Sequence, residues 1–258
     1  MGVVNVTPDS FSDGGRFFDP AAAIEQARKL AAEGADIVDI GGESSRPGAD
    51  PVSEQEEIDR IAPVLEGLRD LCVSVDTRRP AVMKAAAAAG ASMINDVEAL
   101  RAPGAIEAVA ATKCAVCLMH MKGTPATMQQ APRYDDVVRE VKAFLKEAVR
   151  KTRFGGIGID RIVADPGFGF GKTAAHNLVL LRNLSQFSDL GVPLLAGLSR
   201  KATVGQLTGR PVHERLAGSL AMALLALQGG ARILRVHDVR ETRDVISIWQ
   251  AYGNELQT

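Results

Sequence analysis

The sequence is poor in the features that mark secreted, membrane-spanning or nucleic-acid-binding proteins. Its 258 residues include only three cysteines, and aromatic residues make up 4% of the chain. No apolar run approaches the roughly 18 residues of a membrane span, and no basic start precedes an apolar stretch as in a signal peptide. Acidic and basic residues nearly balance, at 31 against 30, so no broad charged surface is predicted. We therefore expect a cytoplasmic protein with neither a nucleic-acid nor a membrane partner.

The three cysteines predict a reducing compartment rather than a disulfide framework. Cys114 and Cys117 have the spacing of a CxxC motif, but they lie in an apolar segment, residues 114–119, that has the pattern of a strand. Residues three apart on a strand face opposite sides of the sheet, so the two sulfur atoms cannot easily converge. We interpret both cysteines as strand residues and not as a redox pair or metal ligands.

Short apolar runs alternate with amphipathic stretches from one end of the chain to the other. Asp19 and Pro20 open a helical stretch that Gly34 closes. Ser53 and Glu56 have the capping-box spacing at the start of the next helical stretch. The strand candidates are residues 1–5, 36–40, 72–76, 92–95, 114–119, 162–165, 193–197 and 232–236.

About eight strand–helix repeats predict an α/β protein with a parallel sheet. A chain of 258 residues favours closure into a single-domain (β/α)8 TIM barrel over an open sheet. No Gly-x-Gly-x-x-Gly follows the first strand, which weakens a dinucleotide-binding alternative, and no low-complexity linker divides the chain. We expect one domain over residues 1–258. Because the chain opens inside an apolar strand, we also expect a short N-terminal segment to be missing.

Polar side chains stand at the predicted carboxyl ends of the strands, where (β/α)8 enzymes carry their chemistry. Any one of them could simply mark the point where a strand becomes a loop, but the set mixes carboxylates, amides and cations. That mixture suits a polar heterocycle joined to an anion, because buried charges have to be paired or used. The residues are Asn5, Asp76, Asn95, Asp96, His120, Asp165, Ser199, Arg200, Lys201, Arg235 and His237.

Three loops that follow strands admit more than one interpretation. Residues 5–15 and 41–48 are rich in Gly, Ser and Asp, as in ordinary surface connections or in lids that order over a charged substrate. Residues 165–173 end in Gly-Lys-Thr, but a P-loop requires glycine at the position of Pro166. There we predict a glycine-rich wall beside a flat ligand instead of a nucleoside-triphosphate site.

The four histidines separate into structural and candidate functional residues. His176 and His213 fall at predicted helix starts and are expected on the surface, whereas His120 directly follows a strand and is predicted to be structural. His237 lies two residues after Arg235, so both side chains can share one face of the last strand end, as an anion site would need. No spacing of His and carboxylate residues in the sequence has the form of a zinc site.

Two long motifs and several short ones closely resemble those of the dihydropteroate synthase family of pterin-binding barrels. They occur in family order over nearly the whole chain, and the two long motifs are the most specific. Family members usually have a short segment before the first strand, and the chain departs from the family there. The motifs are GVVNVTPDSFSDGG (residues 2–15), DIGGESSRPG (39–48), SVDT (74–77), IND (94–96), LMHM (118–121), DPGFGF (165–170), SRK (199–201) and RVHDV (235–239).

The resemblance implies a site assembled from the strand ends and the first two loops. It implies a bidentate carboxylate at Asp165 and an amide at Asn95 on the pterin ring, with Mg²⁺ helping to neutralise the pyrophosphate. The implied catalytic residues are Arg46, Asp76, Asp165 and Lys201. The implied pterin-binding residues are Asp76, Asn95, Met119, Asp165, Phe170, Gly197, Lys201 and Arg235. The implied pyrophosphate-binding residues are Asn5, Arg46, Arg235 and His237, with Asn5 also on the metal, and the implied p-aminobenzoate-binding residues are Thr7, Ser45, Pro47, Phe170, Ser199 and Lys201.

The implied reaction joins 6-hydroxymethyl-7,8-dihydropterin pyrophosphate to p-aminobenzoate by an SN1-like displacement of pyrophosphate, in a homodimer. Apolar residues near the C-terminus, such as Leu224, Leu225, Trp249 and Tyr252, could form the dimer interface or belong to the core. Two alternatives keep the pterin pocket: a methyltetrahydrofolate–corrinoid methyltransferase, and a catalytically inactive pterin-binding subunit. The first has no need of the loop of residues 5–15, and the second predicts loss of anion-binding residues that the chain retains.

Overall fold

The computed structural model describes residues 1–6, 19–43, 52–124 and 127–255. Over these ranges eight β-strands alternate with nine α-helices, as expected of an α/β protein. The strands are β1 (Gly2–Asn5), β2 (Val38–Gly41), β3 (Val73–Asp76), β4 (Met93–Asp96), β5 (Ala115–Met119), β6 (Ile162–Asp165), β7 (Leu195–Ala196) and β8 (Ile233–Leu234). The helices are α1 (Pro20–Ala32), α2 (Glu54–Glu66), α3 (Pro80–Ala88), α4 (Ala105–Ala110), α5 (Val137–Phe154), α6 (Ala174–Arg182), α7 (Ala202–Thr208), α8 (Leu216–Gln228) and α9 (Val239–Glu255).

The strands close into a ring. β1 to β6 pair in chain order as one parallel sheet, and β7 pairs in parallel with β8. Two parallel bridges join the sheets, one from Ala164 in β6 to Leu194 and one from Gly2 in β1 to Val236. The backbone N–H of Val236 also donates to the carbonyl oxygen of Met1 at 2.9 Å. The (β/α)8 barrel predicted from the alternating pattern is therefore confirmed.

The last two strands are shorter than the apolar runs predicted. The first six begin and end within two residues of the predicted limits, but β7 and β8 have two residues each instead of five. Pro193 lacks the N–H that would extend a ladder toward the start of β7. Leu194, just before β7, pairs with β6 through a single bridge, and Val236, two residues after β8, pairs with β1 in the same way. The ring therefore closes through isolated bridges on either side of the β7–β8 pair.

The cap predicted for the first helix is confirmed, whereas the capping box predicted for the second forms only in part. The Asp19 carboxylate accepts a hydrogen bond from the Ala21 N–H at 2.9 Å, as expected for the cap of α1. Ser53 Oγ accepts from the Glu56 N–H at 3.1 Å, but the Glu56 carboxylate pairs with Arg60 instead of returning to Ser53. The capping box at α2 is therefore only half formed, and its acidic residue supports the next helical turn instead.

Alternation along each strand divides the side chains between two layers. Outward-facing residues such as Ile40, Val75 and Leu118 pack in the main core beneath the helices. A second cluster fills the barrel interior below the carboxyl ends and consists of Met1, Met93, Cys117, Val163 and Leu195. Above it the inward-facing side chains become polar.

The cysteines lie where the strand pattern predicts them. Cys114 belongs to the main core and Cys117 to the interior cluster, so the two thiols of the CxxC spacing lie in different layers. All three cysteines are free. No helix in the part of the chain that the structure describes is long and apolar enough to cross a membrane.

Candidate active site

Inward-facing side chains from four strand ends form one hydrogen-bonded cluster. The Arg235 guanidinium, just past β8, donates from Nε to Asp39 Oδ2 at 2.6 Å and from Nη2 to Asp76 Oδ2 at 2.9 Å. Asn95 Nδ2 in β4 donates to the same Asp39 oxygen at 3.2 Å. Three of the predicted site residues, Asp76, Asn95 and Arg235, therefore meet at one mouth of the barrel.

Asp39 joins this cluster, although the sequence did not single it out as a site residue. Its carboxylate is fully buried, and Oδ1 has no hydrogen-bond partner among the described residues. Leaving one carboxylate oxygen unpaired is costly, so the bonds to Arg235 and Asn95 have to offset that cost. The feature of the sequence that could have identified Asp39 is its position as a charged residue inside the apolar strand of residues 36–40.

Burial dominates the ionisation of the groups at this mouth. It raises the pKa of Asp76 to about 7, against the lowering effect of Arg235. It also raises the pKa of Asp165, which the charge of Lys201 opposes, and lowers the pKa of Lys201 itself to about 8. Burial acts to lower the pKa of Arg235, but Asp39 and Asp76 together raise it above its ordinary value. The site thus combines a permanent cation with groups that can change charge near neutral pH.

Residues 166–171, which we call the wall segment, follow β6 and stand beside Lys201. The Lys201 ammonium donates to the carbonyl oxygen of Phe168 and lies 4.7 Å from the centroid of the Phe170 ring. Gly167 has a φ of +68°, and a Cβ on it would come within 1.9 Å of the His120 carbonyl oxygen. Only glycine fits at that position. The tight backbone packing is the kind that a wall beside a flat ligand requires.

Lys172, the lysine of the Gly-Lys-Thr sequence, points into the protein. Its Nζ donates to the carbonyl oxygens of Gly167 at 2.8 Å and Phe170 at 3.0 Å. In that position the ammonium cannot reach the phosphates of a nucleotide, as a P-loop lysine does. The geometry agrees with the interpretation of this loop as a wall and not as a nucleoside-triphosphate site.

Met119 and Gly197, two of the predicted pterin-binding residues, carry no polar side chain. Met119 is buried in a small cluster against which Phe170 packs. A Cβ on Gly197, directly after β7, would stand 3.7 Å from Lys201 Nζ and 3.8 Å from Arg235 Cβ. Glycine at this position therefore leaves the space between the two cations open.

Three predicted pyrophosphate-binding residues, Asn5, Arg235 and His237, lie at the ends of β1 and β8. Ser199, a predicted p-aminobenzoate contact, follows β7. The His237 N–H donates to Ser199 Oγ at 3.2 Å, and its ring Nδ1 lies 3.1 Å from the same oxygen. Asn5, the last residue of β1, has its Oδ1 3.8 Å from where a Cβ on Gly41 would stand. Asn5 pairs with Gly41 across the sheet, and Gly41 pairs in turn with Asp76. Asn5 and Asp76 therefore flank the same position of β2.

Several of the polar residues at strand ends serve the fold instead. Asp96 accepts the N–H groups of Glu98 and Leu100, each at 2.7 Å, and burial raises its pKa to about 6. His120 is buried with its Nδ1 2.9 Å from Lys172 Nζ, which confirms the structural role predicted for it. Asp96 and Asn95 are adjacent in sequence, but strand alternation turns only Asn95 toward the barrel interior.

Four predicted site residues, Thr7, Ser45, Arg46 and Pro47, lie outside the described residues. Most of the two candidate lid loops lies there as well, so the roles assigned to these loops stay predictions. Within the described ranges no group of three or more His, Cys, Asp or Glu side chains could hold a metal ion. The magnesium site assigned to Asn5 is likewise still a prediction.

Comparison with known proteins places this arrangement in a family. Residues 1–237 match the family described as pterin binding enzyme. A dihydropteroate synthase from Haemophilus influenzae is 49% identical over 257 residues, which cover 98% of this chain and 94% of the relative. The chain belongs to the dihydropteroate synthase family. Dihydropteroate synthases are transferases, so the cluster around Arg235 lies at the mouth of an enzyme barrel.

Solved dihydropteroate synthases have the same fold. A structure from Xanthomonas albilineans with 4-aminobenzoic acid is 54% identical with a TM-score of 0.92, and the match covers 98% of this chain and 92% of that one. Another from the same organism, in complex with 7,8-dihydropteroate, is 51% identical with a TM-score of 0.89 and the same coverage. The barrel of this chain is thus close to those of solved family members over nearly its whole length.

Proposed function

We propose that the enzyme condenses 6-hydroxymethyl-7,8-dihydropterin pyrophosphate with p-aminobenzoate, giving 7,8-dihydropteroate and pyrophosphate in folate biosynthesis. The observation that carries the proposal is the convergence of Asp76, Asn95 and Arg235 at one barrel mouth, beside Lys201 and the wall segment. The Xanthomonas albilineans synthases hold 4-aminobenzoic acid in one structure and 7,8-dihydropteroate in another. These ligands support the proposed second substrate and product.

A carboxylate and an amide recognise the pterin ring. The 2-amino group and N3–H of a pterin are two parallel donors, which Asp165 can accept in a bidentate contact. The Gly167 N–H donates to Asp165 Oδ1 at 2.7 Å and fixes the orientation of that carboxylate. Asn95 offers a donor and an acceptor to the remaining ring atoms. Met119, Phe170 and Gly197 would bound the flat ring.

The displacement requires no covalent nucleophile. The electron-rich dihydropterin can stabilise a cation at the CH₂ from which pyrophosphate departs, so an SN1-like route is favoured before the p-aminobenzoate amine attacks. Asp76 would favour positive charge on the reduced ring, and Lys201 would reach its carbonyl and N5 side. The enzyme would therefore act by charge placement and positioning, with Arg46, Asp76, Asp165 and Lys201 as its catalytic residues.

The pyrophosphate would be held by Asn5, Arg46, Arg235 and His237. Mg²⁺ fits beside Asn5, because magnesium keeps several waters and is usually held by one or two protein oxygens together with substrate phosphates. Asn5 offers one amide oxygen for such an ion. The bound ion would supply positive charge to the leaving pyrophosphate, while Arg235 and His237 orient it.

The second substrate and the assembly complete the proposal. p-Aminobenzoate would lie near Phe170, Ser199 and Lys201, together with Thr7, Ser45 and Pro47. We place the enzyme in the cytoplasm, because three free cysteines suit a reducing compartment. We also propose a homodimer, because Leu224 and Leu225 on α8 are exposed apolar residues. Trp249, by contrast, packs against the core.

A coupled assay for pyrophosphate release tests the proposed function. The purified enzyme should release pyrophosphate only when both the pterin pyrophosphate and p-aminobenzoate are present. Chelation by EDTA should stop release, and added MgCl₂ should restore it. Pterin binding without turnover would instead identify an inactive pterin-binding subunit, and methyl transfer from methyltetrahydrofolate would identify the corrinoid-dependent alternative.

A further inference from the structure

The ammonium of Lys172 is buried against the wall segment. The residue is only 3% exposed, and its Nζ donates to the carbonyl oxygens of Gly167 and Phe170, near the two ends of that segment. It also lies 3.3 Å from the carbonyl oxygen and 2.9 Å from Nδ1 of His120, just past β5. One cation therefore holds the wall segment against the end of a neighbouring strand.

The two residues that Lys172 holds both face the proposed pterin site. The N–H of Gly167 donates to Asp165 Oδ1, and the ring of Phe170 lies 4.7 Å from the Lys201 ammonium. A shift of the Lys172 side chain would therefore move the donor that orients Asp165 and the aromatic face beside Lys201.

We propose that Lys172 is a positioning residue of the pterin site: its charge holds the wall segment in place and favours the anionic form of Asp165. This inference rests on the proposed role of Asp165 as the carboxylate that binds the pterin ring. Lys172 itself touches no substrate in this account. It acts through Asp165 and through the backbone of the wall segment.

The charge of Lys172, and not only its size, is central to the proposal. A buried ammonium is costly, so an apolar side chain of similar length would fill the space with less penalty. Burial lowers the pKa of Lys172 to about 7, and Asp165 opposes that shift. Burial raises the pKa of Asp165, and the charge of Lys201, the hydrogen bond from the Gly167 N–H and the charge of Lys172 oppose that rise. Below about pH 7, where Lys172 is protonated, its charge therefore helps to keep Asp165 ionised.

The other titratable groups that face this pair can be separated from it. Burial lowers the pKa of His120 to about 3 and raises that of Cys117 well above its ordinary value, so both side chains stay neutral near neutral pH. Arg235 stays charged, and Lys201 titrates at about 8. Asp76 titrates at about 7 and Asp96 at about 6. The test is therefore run in an Asp76→Asn background. The fall in pterin affinity at low pH, the acid limb, is assigned to Asp165 only where it disappears when Asp165→Asn is added to that background.

The experiment measures binding of the pterin pyrophosphate by calorimetry from pH 5.5 to 8, without p-aminobenzoate. Lys172→Met should raise the Kd roughly tenfold or more, the loss expected for a charge-assisted contact. It should also move the midpoint of the acid limb upward by about half a pH unit or more, because a positive charge near Asp165 is lost. Lys172→Gln, which is neutral but keeps a donor, should show the same midpoint shift with a smaller loss of affinity.

Tyr134→Phe is the matched control. It removes a neutral hydrogen bond of 2.8 Å from Tyr134 Oη to the carbonyl oxygen of Gly171, at the end of the same wall segment. This variant should loosen the segment without moving the midpoint. If Lys172→Met and Lys172→Gln only weaken binding, as Tyr134→Phe does, Lys172 is a packing residue and the proposal is overturned.

The outcomes also separate this inference from the proposed function. An acid limb that is present with native Lys172 and stays in place in both Lys172 variants rejects only the role of Lys172. Absence of any acid limb with native Lys172, together with normal pterin affinity in Asp165→Asn, would instead show that Asp165 is not the pterin carboxylate.

Discussion

At the scale of single residues, Arg235 organises the mouth of the barrel. It binds Asp39 from β2 and Asp76 from β3 with two of its nitrogen atoms. A guanidinium has five N–H donors in a fixed fork, so it can hold two carboxylates and still contribute to a ligand. The same contacts keep Asp76 close to its titration point, because burial raises its pKa while Arg235 lowers it.

Replacing Asp165 by asparagine should sharply weaken pterin binding. The variant offers one acceptor where the ring presents two donors, and its amide group would face one of them. We expect the Kd of the pterin pyrophosphate to rise about 10- to 150-fold, equivalent to roughly 1.5–3 kcal/mol. Calorimetric titration of both proteins measures the change. An unchanged Kd would mean that the pterin pocket is elsewhere.

The pKa of Asp76 predicts a pH dependence for both activity and stability. In its proposed role the Asp76 carboxylate favours positive charge on the pterin. Below about pH 7 this carboxyl is protonated, so kcat/KM should fall there. Asp76→Asn should be slower and should lack this limb. Because the folded-state pKa lies above the unfolded value of 3.8, the folded state keeps a proton that the unfolded state has released. This group should therefore lower the free energy of unfolding as the pH rises from about 4 to 7.

At the scale of elements, a partly buried charge network joins the strand ends to the helices outside them. Arg79, which precedes α3, donates to Glu57 in α2 at 2.9 Å and to Glu43, just past β2, at 2.8 Å. Arg78 binds Glu43 from the other side and also reaches Glu98. The network fixes α2 and α3 relative to the residues that follow β2, close to Asp39 and Asp76.

Removing Arg79 should destabilise the fold far more than removing a surface arginine. Glu57 is only 1% exposed, so Arg79→Met leaves it without this cation and should lower the free energy of unfolding by about 3 kcal/mol at pH 7. Arg28→Met is the control, because its ion pair with Asp70 is half exposed and should contribute little. Urea unfolding measures both variants. In Arg79→Met part of the loss should be recovered as the pH falls toward 5, because the pKa of Glu57, already raised by burial, rises further when its cation is gone.

At the scale of the whole molecule, the sequence could predict the barrel because its signals are local. Apolar runs and helix caps repeat along the chain, and polar residues such as Asn95 and Asp165 directly follow those runs. Asp39 could not be assigned to the site in the same way, because its contact with Arg235 spans 196 residues. The sequence shows Lys172 only as the lysine of a Gly-Lys-Thr run that does not form a P-loop, because its contacts are with the end of β5 and the wall segment. The local pattern of apolar and polar residues therefore does not predict which charged side chains pair across long distances in the sequence.

The surface around α7 and α8 should form the proposed dimer interface. Leu207, Leu216, Leu224 and Leu225 are exposed apolar residues on these two helices, which contact each other. Exposed apolar patches mark association surfaces. Leu225→Glu would place a charge on this surface and should halve the mass measured by analytical ultracentrifugation at micromolar concentration. Phe154→Glu, at an exposed residue at the end of α5, should leave the mass unchanged. A dimer that persists in Leu225→Glu would move the interface elsewhere.

The close packing at Gly167 bears on how the enzyme could escape an inhibitor. A methyl group there would collide with the carbonyl oxygen of His120, and one on Gly171 would come within 2.4 Å of the Lys122 carbonyl oxygen. A compound that contacts the backbone of the wall segment therefore binds atoms that remain in place whatever side chain is substituted. Bulkier replacements at these two glycines would distort the pocket for the natural pterin as well, so resistance acquired here would come with a loss of fitness.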